Sequence, residues 1–178
     1  MPSVLCLSGS LRAASSSRAV VETICDKLAS SARFARFDIG SLPHYNADLD
    51  PLPDTVVALK SAIEKADGLV IVTPEYNYSV PGVLKNAIDW ASRPGYASVL
   101  KDKPVFVASV SGGALGGVRA QAHLKNILGG VLADTFVWQE VVVTFANTKV
   151  KDGRLADEIT EVFLFDALRA YFASLRHR

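Results

Sequence analysis

The most informative absences in this 178-residue chain are of cysteine, of excess charge and of long apolar runs. Two cysteines are too few for a disulfide framework, and they predict reduced thiols and a cytoplasmic protein. The net charge of +1 gives no reason to expect a nucleic acid or an anionic membrane as partner. No apolar run approaches the roughly 20 residues of a membrane-spanning helix, and no leader pattern precedes the first strand. The length predicts a single domain over residues 1–178.

Motifs of side-chain catalysis are also missing. The sequence has no serine nucleophile elbow and no histidine with a carboxylate at metal-ligand spacing, so we expect no metal ion. His44 and His177 are predicted to be solvated, and His123 is predicted to lie on a helix, partly buried or at an interface.

Strand and helix signals alternate from end to end. Strands are predicted at 4–7, 33–39, 68–73, 104–110 and 136–145. Helices are predicted at 18–28, 55–65, 83–91, 118–128 and 156–175. The last helix is expected to turn inward a face that consists of Ile159, Val162, Phe163, Ala167 and Leu168. The pattern predicts an α/β fold, a flavodoxin-like doubly wound five-stranded parallel sheet of order 2-1-3-4-5 with helices on both faces.

The loop after the first strand has the composition of an anion site. It contains one glycine, Gly9, one arginine, Arg12, and several hydroxyls, from Ser8, Ser10, Ser15, Ser16 and Ser17. A single glycine matches neither the dinucleotide fingerprint nor the Walker A loop. Hydroxyls, free N–H groups and a guanidinium at a helix start favour a monophosphate. A serine-rich helix cap beside an exposed arginine is the alternative interpretation.

Two further loops are expected at the same edge of the sheet. Residues 74–81 combine two prolines and two tyrosines with a carboxylate and an amide, a composition that suits a flat ligand with a polar edge. Residues 111–117 contain four glycines, which let the backbone approach a ligand closely. Because ligands of such sheets bind beyond the carboxyl ends of the strands, the three loops should form one site. An ordinary turn with surface tyrosines and a tight glycine turn stay open as alternatives.

These loops resemble the NAD(P)H-dependent FMN reductases of flavodoxin-like fold, which include bacterial quinone, chromate and azo-dye reductases. Residues 9–12 with Ser15 are similar to the FMN-phosphate loop of that family. Residues 73–82, continued through 84–90, match its signature almost letter for letter, and residues 111–119 are similar to its third flavin loop. Ser17 departs from the pattern, because the family often has asparagine there.

The resemblance implies bound FMN and either NADPH or NADH as reductant. Hydride would pass from the nicotinamide to the flavin, and two electrons would then reduce a quinone-like acceptor, with azo dyes, nitroaromatics, chromate and free flavin also open. No catalytic side chain is expected, because FMN carries the chemistry. A homodimer or homotetramer is implied too. The implied cofactor-binding residues are Ser10, Arg12, Ser15 and Ser17 at the phosphate, Pro74, Glu75, Tyr76 and Asn77 at the isoalloxazine ring, and Ser111, Gly112 and Gly113 at its pyrimidine side.

Two other functions fit parts of the sequence. Cys6 and Arg12 have the C-x5-R spacing of a cysteine-dependent phosphatase, but a strand that continues through Cys6 would bury the thiol below the loop. A flavodoxin-type electron carrier would bind FMN without oxidising a nicotinamide. Such carriers are usually strongly acidic, whereas this chain has balanced charge.

Overall fold

A parallel sheet forms the centre of the fold in the computed structural model, which describes residues 1–176. Its strands are β1 (Ser3–Ser8), β2 (Arg33–Arg36), β3 (Gly68–Pro74), β4 (Pro104–Val110), β5 (Asp134–Thr135) and β6 (Val141–Val143). Their order is β2-β1-β3-β4-β5, with β6 also paired to β4, and these pairings are all parallel. The predicted strand order is confirmed. His177 lies outside the described residues.

Two short strands share the fifth position of the sheet. β5 pairs with the first two residues of β4, and β6 pairs with its last three. The prediction of one strand over 136–145 is therefore wrong. The chain leaves the sheet between the two pieces, where Val137 is 90% exposed and the Trp138 ring stacks on Phe136. The apolar residues at 136–138 gave the appearance of a continuous strand, but only Phe136 stays at the sheet, where its N–H donates to the carbonyl of Val105 at 2.9 Å.

Helices cover both faces of the sheet. They are α1 (Ser16–Lys27), α2 (Asp54–Lys65), α3 (Gly82–Ala91), α4 (Val118–Gly130), α5 (Ala146–Lys149) and α6 (Glu158–Leu175). α1 and α6 pack on one face, whereas α2, α3 and α4 pack on the other. Each face of the sheet packs against the helices in its own hydrophobic core. Successive residues of a central strand enter opposite cores, as Val4 and Leu5 do, so the central strands are apolar at every position.

The five long helices confirm the predicted ones, but α5 was not foreseen. Neither was the hairpin that follows it, which consists of β7 (Val150–Lys151) and β8 (Arg154–Leu155). A helix of one turn and strands of two residues are too short to produce a recognisable apolar period. Within residues 1–176, no helix has the length and apolar content that a membrane span requires.

α6 buries a different stripe from the one predicted. Ala167 and Leu168 are buried as expected, but Ile159, Val162 and Phe163 are 83%, 54% and 39% exposed. The prediction for these three residues is wrong. The buried side chains are instead Leu164, Phe165, Ala167, Leu168, Tyr171, Phe172 and Leu175. The helix itself has apolar residues around most of its circumference, so their spacing alone does not identify the face that meets the sheet.

Tyr171 attaches α6 to the two central strands. Its hydroxyl lies 3.0 Å from the carbonyl oxygen of Leu69 and 2.9 Å from that of Pro104. A Cβ atom on Gly68 would collide with the same hydroxyl. Glycine at the start of β3 therefore makes room for a buried polar contact between a helix and the sheet.

We expect Tyr171→Phe to lower the free energy of unfolding by about 1–2 kcal/mol, because a buried donor to strand carbonyls is lost. Urea unfolding followed by circular dichroism measures this change. Tyr96→Phe is the matched control, since Tyr96 is 78% exposed. Equal stability of the Tyr171 variant and the wild type would contradict the role given to the hydroxyl.

Candidate functional site

The three predicted loops meet at the carboxyl edge of the sheet, around an open cleft of about 160 Å³. All but two of the predicted site residues line it, namely Ser10, Arg12, Ser15, Ser17, Pro74, Glu75, Tyr76, Ser111 and Gly112. Asn77 and Gly113 lie outside the lining. Asn147 belongs to the lining and was missed by sequence reasoning, because it lies on the unforeseen α5.

A chain of serine hydroxyls shapes the first loop. Ser17 Oγ lies 2.9 Å from Ser8 Oγ and 2.7 Å from Ser15 Oγ. Ser15 is also the N-cap of α1, where its Oγ accepts a hydrogen bond from the N–H of Arg18 at 3.4 Å. The helix-cap interpretation is therefore correct for Ser15. Ser17 is 1% exposed and shares its hydroxyl with two other serines, so it holds the Ser15 hydroxyl in place.

The arginine before α1 has no counter-charge within the described part of the chain. The guanidinium of Arg12 is exposed and makes no hydrogen bond or ion pair within residues 1–176. The first turn of α1 contains no acidic residue. Because the helix dipole is positive at this end, this part of the cleft can bind an anion.

The second loop contains a tight turn with Asn77 and Tyr78 at its tip. The N–H of Tyr76 donates to the carbonyl of Ser79 at 3.0 Å, and the reverse bond is 3.1 Å long. Positive φ angles of 48° for Asn77 and 67° for Tyr78 are those of a type I′ turn. Asparagine tolerates this conformation, whereas tyrosine rarely adopts it. The turn directs the Tyr76 hydroxyl to within 3.0 Å of Ser10 Oγ in the first loop.

Glu75 connects the second loop to α4. Its Oε2 accepts hydrogen bonds from the N–H groups of Arg119 at 3.1 Å and Ala120 at 3.2 Å, and its Oε1 lies 3.3 Å from the Arg119 guanidinium. The N-cap residue of α4, Gly117, has no side chain that could accept these bonds. The Glu75 carboxylate therefore caps α4 from another loop and neutralises the positive end of that helix.

Aromatic and cationic side chains lie beside Glu75, between the second loop and α4. The Arg119 guanidinium lies 4.5 Å from the centroid of the Tyr78 ring, which is 68% exposed. His123 is exposed, and its Nδ1 lies 3.0 Å from Ser79 Oγ. The prediction that His123 lies on a helix is confirmed. The prediction of its partial burial is wrong, because the residue is exposed beside the second loop, and its position at an interface stays a prediction.

The third loop offers a backbone donor to the cleft. The N–H of Gly113 already donates to Ser111 Oγ at 3.1 Å, while the N–H of Gly112 makes no hydrogen bond within residues 1–176. A Cβ on Gly112 would lie 2.8 Å from the side-chain nitrogen of Asn147. Any larger residue at this position would therefore displace the Asn147 side chain. Farther on, Gly117 enters α4 with φ of 82°, which glycine adopts without strain.

Comparison with known proteins identifies the family. The family described as NADPH-dependent FMN reductase matches residues 2–149. The chain belongs to this family. The resemblance predicted from the three loops is confirmed, and so is the flavodoxin-like fold, which relatives within the reductase family share.

Three relatives match almost the whole chain. The structure of FerB, a flavoenzyme NAD(P)H:(acceptor) oxidoreductase from Paracoccus denitrificans, has a TM-score of 0.86 and 37% identity, and the match covers 99% of this chain and 98% of FerB. A 2-hydroxy-1,4-benzoquinone reductase from Burkholderia sp. is 38% identical over 172 residues, 96% of this chain and 94% of the relative. An NAD(P)H-dependent FMN reductase from Pseudomonas aeruginosa is 37% identical over 170 residues, which are 94% of this chain and 91% of the relative.

Cys6 does not have the environment of a nucleophile in this member of the reductase family. It lies within β1 at 1% exposure, and its sulfur is 4.0 Å from that of Cys25. Contact with the Cys25 thiol and burial both raise the pKa of Cys6 well above its ordinary value. A phosphatase needs the opposite, a lowered pKa and a thiolate at the mouth of the loop. Among residues 1–176 there is also no group of three histidine, cysteine or acidic side chains that could hold a metal ion.

We expect Glu75→Gln to lower the free energy of unfolding by about 1 kcal/mol, because a charged acceptor at the start of α4 becomes neutral. Urea unfolding measures the loss, and amide hydrogen exchange at Arg119 and Ala120 locates it. Glu140→Gln is the control, since that carboxylate is 49% exposed and pairs with the Lys125 ammonium at 3.3 Å. Unchanged exchange in the Glu75 variant would show that the carboxylate does not cap α4.

Proposed function

We propose that this chain is an FMN-dependent oxidoreductase that oxidises NADH or NADPH and reduces a quinone-like acceptor. The observation that carries the proposal is one cleft that joins an uncompensated anion site at α1 to an aromatic loop and a glycine loop. Membership of the FMN reductase family supports the cofactor and the reductant. The names of the Burkholderia and Paracoccus relatives support the class of acceptor.

The first loop would hold the phosphate of FMN. The free guanidinium of Arg12 supplies charge, Ser10 and Ser15 supply hydroxyls, and the start of α1 supplies N–H groups. Ser17 contributes by fixing the Ser15 hydroxyl, since the two oxygens are 2.7 Å apart. Ser17 would therefore act through its neighbours rather than through a contact of its own with the phosphate.

The second and third loops would hold the flavin ring. Pro74 and Tyr76 offer apolar and aromatic surface, and the free N–H of Gly112 beside Ser111 offers a donor to a ring carbonyl. Glu75 would position these groups by capping α4, while Asn77 would fix the turn that presents Tyr76. Gly113 would act through its hydrogen bond to Ser111. The donor set therefore suits a flat ring with a polar edge.

The chemistry that bound FMN supplies is acceptance of a hydride from a reduced nicotinamide and delivery of two electrons to an acceptor. The residues of the cleft would bind and orient the cofactor. The Gly112 N–H and the Ser111 hydroxyl would stabilise negative charge on the polar side of the ring, because fixed donors need no reorganisation when charge develops. No side chain is required as a nucleophile, in keeping with the buried position of Cys6.

An open stacking surface favours a flat acceptor. Tyr76 is 44% exposed at the edge of the cleft. A quinone ring would therefore have room to stack on the same face of the flavin as the nicotinamide. An electron carrier of the flavodoxin type is the second candidate. The balanced net charge of +1 disfavours it, since docking to basic redox partners uses an acidic surface.

The proposal includes one flavodoxin-like domain over residues 1–178, a cytoplasmic location and assembly into a homodimer or homotetramer. Exposed apolar side chains support the assembly, since Ile159 and Val162 on α6 and Val137 before β6 all face solvent. Both cysteines are free thiols, as expected in a reducing compartment. Analytical ultracentrifugation of the purified protein would test the assembly.

Two measurements test the function. The purified protein should show the absorption bands of oxidised flavin, and it should oxidise NADPH or NADH faster when a benzoquinone is added. Bound flavin without nicotinamide oxidation would favour the electron carrier. Absence of flavin binding after incubation with FMN would overturn the proposal.

We expect Arg12→Ala to weaken FMN binding by about 1.5–3 kcal/mol, because a charge-assisted contact to the phosphate is lost. Titration of the apoprotein with FMN, followed by flavin fluorescence, measures the dissociation constant. Arg33→Ala is the matched control, since Arg33 is an exposed arginine of β2 outside the cleft. Equal affinity in the Arg12 variant and the wild type would remove Arg12 from the site.

A further inference from the structure

Asn147 lines the cleft with a side chain that has no partner in the described part of the protein. It is exposed, and its amide makes no hydrogen bond within residues 1–176. The other lining residues outside the predicted set are Ser16, in the first turn of α1, and the apolar Val110. A side-chain amide can donate two hydrogen bonds and accept two. The side chain of Asn147 therefore offers a ligand more hydrogen-bonding capacity than either of these.

Backbone contacts hold Asn147 against the third loop. The N–H of Phe145 donates to the carbonyl of Gly113 at 3.1 Å. The N–H of Ala146 donates to the carbonyl of Ser111 at 3.0 Å, and the Ala146 side chain is fully buried. Phe145 has a positive φ of 50°, which a bulky residue rarely adopts unless its surroundings impose it. The turn that starts α5 is therefore fixed to the third loop, and Asn147 has a defined place at the cleft.

The amide of Asn147 lies between the third loop and the first. It is close to the backbone of Gly112, where an added Cβ would lie 2.8 Å from Nδ2 and 3.2 Å from Oδ1. It also borders the same space as Ser15 and Ser16, because all three line both the cleft and a neighbouring pocket of about 310 Å³. A ligand that extends from the anion site of the first loop to the free N–H of the third loop therefore passes Asn147.

FMN has a polar segment between its two ends, a ribityl chain with a hydroxyl group on each inner carbon. A hydroxyl both donates and accepts hydrogen bonds, and a side-chain amide does the same. The Glu75 carboxylate is already bonded to α4. The hydroxyls of Ser10, Ser15 and Ser111 already accept N–H groups of the protein. The amide of Asn147 is therefore the group of the cleft that best matches a chain of hydroxyls.

We propose that Asn147 binds the ribityl chain of FMN through its side-chain amide. The inference rests on the proposed function, which assigns the phosphate to the first loop and the ring to the second and third loops. Asn147 then joins those loops as a fourth contact with the cofactor, supplied by α5. Because a contact with the chain involves neither end of the cofactor, the affinity that Asn147 contributes depends on the ribityl hydroxyls and not on the phosphate.

Asn147→Ala removes the amide from an exposed position and leaves the backbone contacts of α5 in place. We expect it to weaken FMN binding about three- to tenfold, the range for one hydrogen bond, in titrations of the apoprotein followed by flavin fluorescence. Thr148→Ala is the matched control, because Thr148 is exposed, lies outside the lining and bonds to the Phe145 carbonyl at 2.9 Å. The control should bind FMN within about twofold of wild type. An equal loss in the control would overturn the inference, since the shape of α5 would then set the affinity.

A series of flavins locates the contact. FMN analogues that each lack one ribityl hydroxyl keep both the ring and the phosphate. For at least one analogue, the missing hydroxyl should weaken binding to the wild type about threefold or more and leave binding to Asn147→Ala unchanged, because the variant has already lost the partner of that hydroxyl. Riboflavin keeps the chain and lacks the phosphate. Asn147→Ala should weaken riboflavin by the same factor as FMN, whereas Arg12→Ala should weaken FMN alone.

Three further results would overturn the inference. One is wild-type affinity of Asn147→Ala for FMN. Another is an equal cost of each missing hydroxyl in the variant and the wild type, which would place the ribityl contacts elsewhere. The last is a loss of affinity with FMN but not with riboflavin, which would place Asn147 at the phosphate. Failure of the wild type to bind FMN at all would instead overturn the proposed function.

Discussion

The parallel register of the central strands is the constraint on which the candidate site depends. Ser8 of β1 pairs with Val72 of β3, and Thr73 pairs with Ser109 of β4, so three strands end at one height and release their loops together. The first loop then continues against β3, since the N–H of Gly9 donates to the carbonyl of Val72 at 2.9 Å. A Cβ on Gly9 would lie 3.0 Å from the Pro74 ring. The close approach of the first loop to the end of β3 therefore favours glycine at this position.

Contacts between loops convert that shared edge into a cleft of fixed shape. Tyr76 reaches Ser10 in the first loop, and Glu75 reaches the start of α4 after the third. Because each loop is held by another, side chains far apart in sequence keep their relative positions before a ligand arrives. Such preorganisation lowers the entropic cost of binding, and it suits a site whose residues orient a cofactor.

Sequence reasoning succeeded where burial or chemistry leaves a strong pattern. β3 and β4 are covered on both faces, so their apolar runs were unambiguous, and the residues around Tyr76 form a signature that few other sites would need. It failed where tertiary contacts choose between equivalent local patterns. The exposed Ile159 and the buried Leu164 are equally apolar, and only the position of the sheet decides which is covered. Asn147 was missed because a one-turn helix brings it to the cleft from a segment without a motif.

A motif match does not distinguish the residues that touch a ligand from those that hold them. Ser17 and Glu75 both belong to the recognised loops, yet the hydroxyl of Ser17 is bonded to Ser8 and Ser15, and the carboxylate of Glu75 is bonded to α4. Removal of the Ser17 hydroxyl would free the Ser15 hydroxyl that lines the cleft, and removal of the Glu75 carboxylate would uncap α4. Geometry separates them, because a group whose hydrogen bonds are already made has less capacity left for a ligand than Arg12 or the Gly112 N–H.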